Sequence, residues 1–400
     1  MTAAYADGGA VSELVARVAW SGLAEPGDRV AGALVGALGA VEAWSWLRLS
    51  LDPDRPVPWG PLEERVGALP AVQRARLERS VRRWATRWPD VEPTRDLDSL
   101  ARLGGTVLVP GDHRWPSGLD DLRDERPFCL WVRGDADLDG AWRQGVALVG
   151  SRAATTYGER VAFDLAEGLS TRGAAVVSGG AYGIDAAAHR GSLASGGPTS
   201  VVLAGGVDRT YPLGNARLFE AVVGGGGAVV AELGPGRLPT KSRFLQRNRL
   251  IAAGSRATVV VEAAWRSGAM STAHHAARLL RPVGAVPGPV TSAASAGCHR
   301  LLRDGVAVCV TDSDEIAELA GAAGTDLVVE PVDPPRAGDG LDAVSRSVLE
   351  ALPRRTPADL ATVASSAGVT TAEARAALGL LEIAGSAVRS ASGWHLPRGG

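Results

Sequence analysis

The 400-residue chain has few cysteines: Cys129, Cys298 and Cys309 are scattered with no CxxC pair, which argues against a disulfide framework and a cysteine zinc site. It lacks any apolar run near the roughly 18 to 20 uncharged residues that a bilayer span needs, and it lacks a basic segment leading into an apolar one at its start. A cytoplasmic chain with reduced thiols and no membrane partner is the expectation. Lysine is nearly absent as well. Lys241 is the only one among 42 basic residues, so the other 41 are arginine; it marks either a place where a compact ammonium suits better than a planar fork, or chance. Charge of one sign is also missing, since 42 basic residues stand against 44 acidic ones and the net charge is −2. Any polyanion must therefore be held by a local patch. What the chain does have is 46% apolar residues and enough length for more than one folding unit, which excludes a wholly disordered or fibrous protein.

Residues Glu13 to Trp20, Asp28 to Leu38, Val41 to Leu49 and Pro70 to Trp88 carry apolar positions at helical spacing, broken by Gly-Pro clusters. They predict a helical domain over 1–95, of SAM or helix-hairpin type. Its tryptophans read as core rather than chemistry. From Gly104 the character changes. Short runs such as Val146 to Val149, Ala174 to Val177, Ser200 to Leu203, Ala228 to Ala231, Thr258 to Val261, Val283 to Val286 and Val306 to Val310 alternate with helical stretches. Continuous apolar strands of this kind predict an α/β fold over 104–320, a Rossmann-like, doubly wound and mostly parallel sheet. Residues 321–340, rich in Pro, Gly and Asp, read as a linker. Beyond it, Leu341 to Leu352, Pro357 to Ser365 and Thr370 to Ile383 predict three helices, and Ala387 to Leu396 a hairpin, the outline of a winged-helix-like domain over 341–400. Its third helix has one Arg and two Glu, so protein contact is as good a reading as duplex binding.

In doubly wound sheets ligands sit outside the carboxyl ends of the strands, which directs attention to the residues that follow each strand. Gly150-Ser151-Arg152 offers backbone N–H groups beside a guanidinium fork. Ser178-Gly-Gly-Ala-Tyr-Gly-Ile-Asp185 opens a helix with glycines that allow an anion to approach the backbone, or else forms only a tight turn capped by Asp185. Another glycine turn with a nearby arginine runs from Gly205 to Pro212. Pro239 to Arg249 carries Lys241, Arg243, Phe244, Arg247, Asn248 and Arg249, cations interleaved with a ring and an amide. Cations that track phosphates and a ring that stacks on a base suit a single nucleic-acid strand; a solvated charge run is the plain alternative. Ser267 and Gly268 sit in a small-residue turn opening a further helix.

Lys241 follows Thr240 rather than Gly, so a GxxxxGK[ST] nucleotide loop is absent, and no GxGxxG with a distant acidic residue follows the first strand. His274 and His275 are adjacent and diverge by about 100° on a helix, a poor pair for one metal. Ser178, Asp185 and His189 can be written as a triad, but no nucleophile elbow accompanies them. No metal, cofactor or catalytic residue is assigned.

These residues resemble the DNA-processing protein A family, also called DprA or Smf. The match runs through Val149-Gly-Ser-Arg152 with Tyr157-Gly158, Ser178 to Asp185 with Ala188-His189, Tyr211-Pro212 with Asn215, Phe244-Leu-Gln-Arg-Asn-Arg-Leu-Ile251, Val261-Glu262 with Ser267-Gly268 and Thr272, and Val286-Pro-Gly288. The resemblance implies a homodimer that binds single-stranded DNA without hydrolysing nucleotide and delivers the RecA recombinase onto it, including during natural transformation. It implies that Arg152, with Gly179, Gly180 and Gly183, lines a phosphate pocket, that Lys241 is a basic contact, that Phe244 stacks on a base, and that Arg247 and Arg249 bind phosphate or brace the loop. At Ala181 and Tyr182 the chain departs from many members, which have a larger apolar residue followed by a basic one.

A nucleoside monophosphate hydrolase related to the phosphoribohydrolases is the competing reading. That family's PGGxGTxxE motif is not found after Glu262. A transcription regulator led by the C-terminal module is a third.

Overall fold

The computed structural model describes residues 11–52, 55–321 and 340–397. The linker expected at 321–340 lies outside them except for its two end residues. The described residues up to 321 form one compact unit, and 340–397 belong to a second.

The first unit opens with helices α1 (Glu13–Leu23), α2 (Arg29–Leu38), α3 (Ala40–Ser50), α4 (Trp59–Val66), α5 (Ala71–Ala85) and α6 (Pro93–Ala101). Ser12 caps α1 by accepting from the Val15 N–H, and Asp28 caps α2 by accepting from the Val30 and Ala31 N–H groups. Trp20 is fully buried between Trp44 and Trp84, each 5.6 Å away and nearly edge-on, so the tryptophans are core, as their spacing suggests. These helices are not a separate body. The Ser21 hydroxyl donates to the Glu232 carbonyl at 2.8 Å, the Trp131 indole N–H donates to Ser21 Oγ at 3.2 Å, and Arg17 donates to the Phe128 carbonyl at 3.3 Å.

The sheet follows, as β1 (Thr106–Leu108), β2 (Leu130–Arg133), α7 (Leu138–Arg143), β3 (Val146–Val149), α8 (Thr156–Thr171), β4 (Val176–Ser178), α9 (Ile184–Ala194), β5 (Thr199–Leu203), α10 (Ala216–Gly224), β6 (Ala228–Ala231), α11 (Lys241–Ala253), β7 (Ala257–Val260), α12 (Gly268–Arg278), β8 (Val283–Ala285), α13 (Ala296–Arg303), β9 (Val308–Cys309) and α14 (Ser313–Ala320). Among the described residues it has nine strands in the order β1-β2-β6-β5-β4-β3-β7-β8-β9. Strands β3 to β9 are parallel, while β1 and β2 add an antiparallel edge through Trp131 opposite Ala231. Both faces of the parallel part are covered, and β3 through β7 are buried throughout. The chain winds outward from β3 through β4, β5 and β6 on one side and through β7, β8 and β9 on the other. The point of reversal lies between β3 and β7, where Val149 pairs with Val260, and a crevice opens beyond these strand ends.

The second unit has α15 (Ala343–Ala351), α16 (Leu360–Ala367), α17 (Thr371–Ile383) and a hairpin of β10 (Val388–Ser390) and β11 (Gly393–His395). Val348, Val363, Leu378 and Leu381 are among the buried residues of a core of its own. Thr370 and Glu373 form a capping box at α17.

Candidate nucleic-acid interface

A groove of about 960 Å³ opens over the carboxyl ends of β3 and β7. Three sequence segments meet in it: Gly150, Ser151 and Arg152 after β3, Lys241, Phe244, Arg247 and Asn248 from α11, and Ser267 and Gly268 after β7. Nine of the expected site residues therefore share one wall system.

Helix α11 starts where Thr240 accepts from the Arg243 N–H at 3.3 Å, so Lys241 is its first residue and points from an exposed end. Spacings of three and four residues place Lys241, Phe244 and Asn248 on one helix face, toward the groove. Among the described residues Lys241 has no ion pair. The Phe244 ring is half-buried and crowded by cations, with the Arg152 guanidinium 4.5 Å from its centroid and that of Arg247 5.9 Å away. Tyr211 tilts against it at 5.5 Å. Arg152 is exposed and has no carboxylate partner among the described residues, so its cation is available to a ligand. Arg247 lies deeper, donating to the carbonyls of Gly179, at 2.8 Å, and Val202. Burial pushes its pKa down to about 10, against the pull of Asp185. Burial in turn raises the Asp185 carboxyl, with Arg247, the Ala181 N–H and Arg152 acting the other way.

The remaining expected residues shape the groove without lining it. Gly183 closes the β4–α9 loop at φ 74°, where a Cβ would collide with the Ser151 carbonyl, and a Cβ on Gly179 would run into the Arg247 guanidinium. Gly180 packs against Phe219, and Asn215 Nδ2 ties the loop down by donating to the carbonyls of Gly180 at 2.9 Å and Ala181 at 3.2 Å. Ser178 is fully buried and donates to the Leu148 carbonyl at 2.6 Å, while His189 Nδ1 is 2.8 Å from Thr199 Oγ1, so no triad forms. Behind the first loop, the buried Glu262 accepts from the Thr155 N–H at 2.9 Å and hydroxyl at 2.6 Å, and its carbonyl accepts from the Ser151 N–H at 2.7 Å.

Two arginines require correction as direct contacts. Arg249 is fully buried, pairs with both oxygens of Glu232 at 2.7 Å and donates to the Glu125 carbonyl, so its charge is consumed inside the fold. Arg243 is held by Glu25 at 3.0 and 2.9 Å and by the Leu238 carbonyl at 2.7 Å. Both brace α11. Conversely, Tyr211, Arg266 and Thr272 line the groove without having been assigned to it. Tyr211 and Thr272 stand among the residues that carry the family resemblance, and Arg266 had position alone, in the segment that follows β7.

The model of the family described as DNA recombination-mediator protein A matches residues 106–321. A Mycobacterium tuberculosis protein named as DNA processing protein DprA is 48% identical over 318 residues, covering 76% of this chain and 80% of its own. DNA processing protein DprA of Streptococcus pneumoniae is 38% identical over 207 residues, covering 52% of this chain and 72% of its own. The X-ray structure of DNA processing protein A from Streptococcus pneumoniae superposes with a TM-score of 0.57 at 27% identity, covering 76% of this chain and 97% of that one.

Proposed function

Because the chain belongs to the DNA recombination-mediator protein A family (DprA/Smf), we propose that its groove captures single-stranded DNA and presents it to the RecA recombinase. The observation that carries the reading is the half-buried Phe244 ring beside two unpaired cations, Arg152 and Lys241, at the mouth of the groove. The ring and the Arg152 guanidinium laid over it form a stacking surface that suits any base, while the Arg152 and Lys241 cations take phosphate oxygens, so the capture is tolerant of sequence. This role is one of binding, with no bond made or broken in the DNA. Handover to RecA draws its support from the recombination-mediator description of the family. The resemblance further supports a homodimer, and free thiols at Cys129, Cys298 and Cys309 support a cytoplasmic location. No single helix among the described residues is long and apolar enough to cross a membrane.

Fluorescence anisotropy with labelled single-stranded and duplex oligonucleotides across a salt series tests the proposal. Preference for the single strand is expected. Lys241→Ala should weaken binding and make the slope of log K against log salt shallower by about 0.7, the contribution of one phosphate contact on a single strand. Phe244→Ala should cost about 1 to 3 kcal/mol, roughly 5- to 150-fold in affinity. Unchanged affinity in both variants overturns the reading, and release of adenine from AMP would replace it with nucleotide hydrolysis. RecA filament assembly on single strands, with and without the protein, tests the handover, and the mass in solution by light scattering tests the dimer.

A further inference from the structure

A second strongly basic groove lies on the helical part of the first unit, away from the β3 and β7 strand ends. Helix α5 holds Arg74, Arg76, Arg79, Arg82 and Arg83 against one acidic residue, Glu78. Arg76, Arg79 and Arg83, spaced by three and four residues, share one face and line a groove of about 610 Å³ with Arg29. Glu25 and Asp28 line it too, but both are already engaged. Asp28 caps α2, accepts from the Trp84 indole at 3.1 Å and pairs with Arg83 at 2.6 Å. Glu25 pairs with Arg87 at 2.6 Å and with Arg243 at 2.9 Å. Arg29 pairs with Glu125. That leaves Arg76 and Arg79, both exposed, without an ion pair among the described residues, and Arg82 beside them in the same condition.

Like charges three and four residues apart on a helix repel one another, and α5 carries such pairs at Arg76 and Arg79, Arg79 and Arg82, and Arg79 and Arg83. A polyanion laid along this face would relieve the repulsion, and guanidinium forks match phosphate oxygens. The location favours a strand over other anions. The Glu25–Asp28 loop links the α5 groove to helix α11: Glu25 is bonded to Arg243, two residues from Lys241, and Pro26 lines both the α5 groove and a small cleft that reaches Arg243 and Arg247.

We propose that the Arg76–Arg79 face of α5 is a second binding site for the phosphate backbone of the same single-stranded DNA, engaged by strands long enough to extend past the Lys241 and Phe244 groove and over the Glu25–Asp28 loop. This inference rests on the function proposed above, and oligonucleotide length separates the two. The full chain is compared with the double variant Arg76→Gln, Arg79→Gln and with Lys241→Ala, using oligo(dT) of about 6 and about 20 nucleotides. Because both arginines are exposed and unpaired and repel their neighbours, the double variant should melt at or slightly above the wild-type temperature. It should bind the short oligonucleotide as the wild type does, bind the long one roughly tenfold more weakly, and show a salt slope shallower by about 1.4 for the long one only, two contacts' worth. Lys241→Ala should weaken both lengths. Wild-type binding of the long strand by the double variant overturns the second site. If Lys241→Ala still loses binding in that case, the strand-end groove stands. If Lys241→Ala and Phe244→Ala both bind the two lengths unchanged, the groove reading falls and this extension of it falls with it, even where the double variant loses the long strand. A loss by the double variant that is confined to poly-glutamate, with the long strand unaffected, overturns the site in favour of an acidic protein segment.

Discussion

On α9, His189 is wholly buried, with Nδ1 against Thr199 and Nε2 unpaired among the described residues. Burial first, then Arg247 and Arg190, push its pKa from 6.5 to about 3. The folded protein thus holds the ring neutral where the unfolded chain would protonate it. The corresponding stability is fully present above pH 6.5 and is lost progressively as pH falls toward 3. Through this residue the protein should be about 2 kcal/mol less stable at pH 5 than at pH 7. Urea unfolding at the two pH values should show that difference shrinking in His189→Gln, whatever the variant's absolute stability; an unchanged difference would refute the assignment. The same scale explains why the two arginines flanking Asn248 were not separable in the sequence. Arg247 and Arg249 look alike in Arg247-Asn-Arg249, yet two residues on a helix differ by about 200° in direction. One faces Phe244, while the other meets Glu232, a carboxylate on the segment that follows β6, which no local pattern links to it.

At the scale of elements, the groove depends on the β4–α9 loop lying under the β3–α8 loop, and Gly183 is where they touch. Gly183→Ala adds both a strained φ of 74° and a collision with the Ser151 carbonyl. A loss of about 1 to 3 kcal/mol is expected from the backbone alone, together with weaker capture of single strands as Ser151 and Arg152 are pushed aside. Gly173→Ala separates the two effects, since its φ is 82° but a Cβ there meets nothing within 4 Å. Thermal melts should fall for both variants and oligonucleotide affinity only for Gly183→Ala. An equal loss of affinity in both would show that general destabilisation, not loop placement, governs binding. The strands that carry these loops were legible because burial on both faces removes polar residues, giving runs such as Val146 to Val149. Strands β1 and β2 were not, because at the antiparallel edge Thr106 and Val107 are only half-buried and β2 ends in Arg133, so neither shows a fully buried apolar run. Helices α4 and α6 were hidden by the Trp59-Gly-Pro start of one and the proline at the first position of the other, which read as breakers.

Over the whole molecule the net charge of −2 offers no attraction for DNA, so binding has to come from where the unpaired cations collect. The Pro, Gly and Asp content of 321–340 reads as a linker, and the residues of that stretch between its two ends lie outside the described ones. The sequence pattern could not show that the helices before residue 101 and the sheet form one unit, because the ties join residues far apart in the chain: Val18 and Leu100 share a buried cluster with Trp131 and Leu203, and Ser21 and Glu25 are bonded to Glu232 and Arg243. The fold thereby places both basic grooves, together with Lys241 and Phe244, in that first unit. The core of the second unit is drawn from its own residues, from Val348 to Ala387. A chain ending at residue 321 should therefore keep the unfolding transition of the first unit and bind a short single-stranded oligonucleotide within about twofold of the full chain, since each contact that sets the salt slope is retained. Anisotropy on the two chains side by side measures this. A tenfold loss on truncation would mean that the three helices and hairpin contribute cations or stacking rings of their own to DNA capture, and Arg389, 5.7 Å from the Trp394 ring, would then be the first residue to replace.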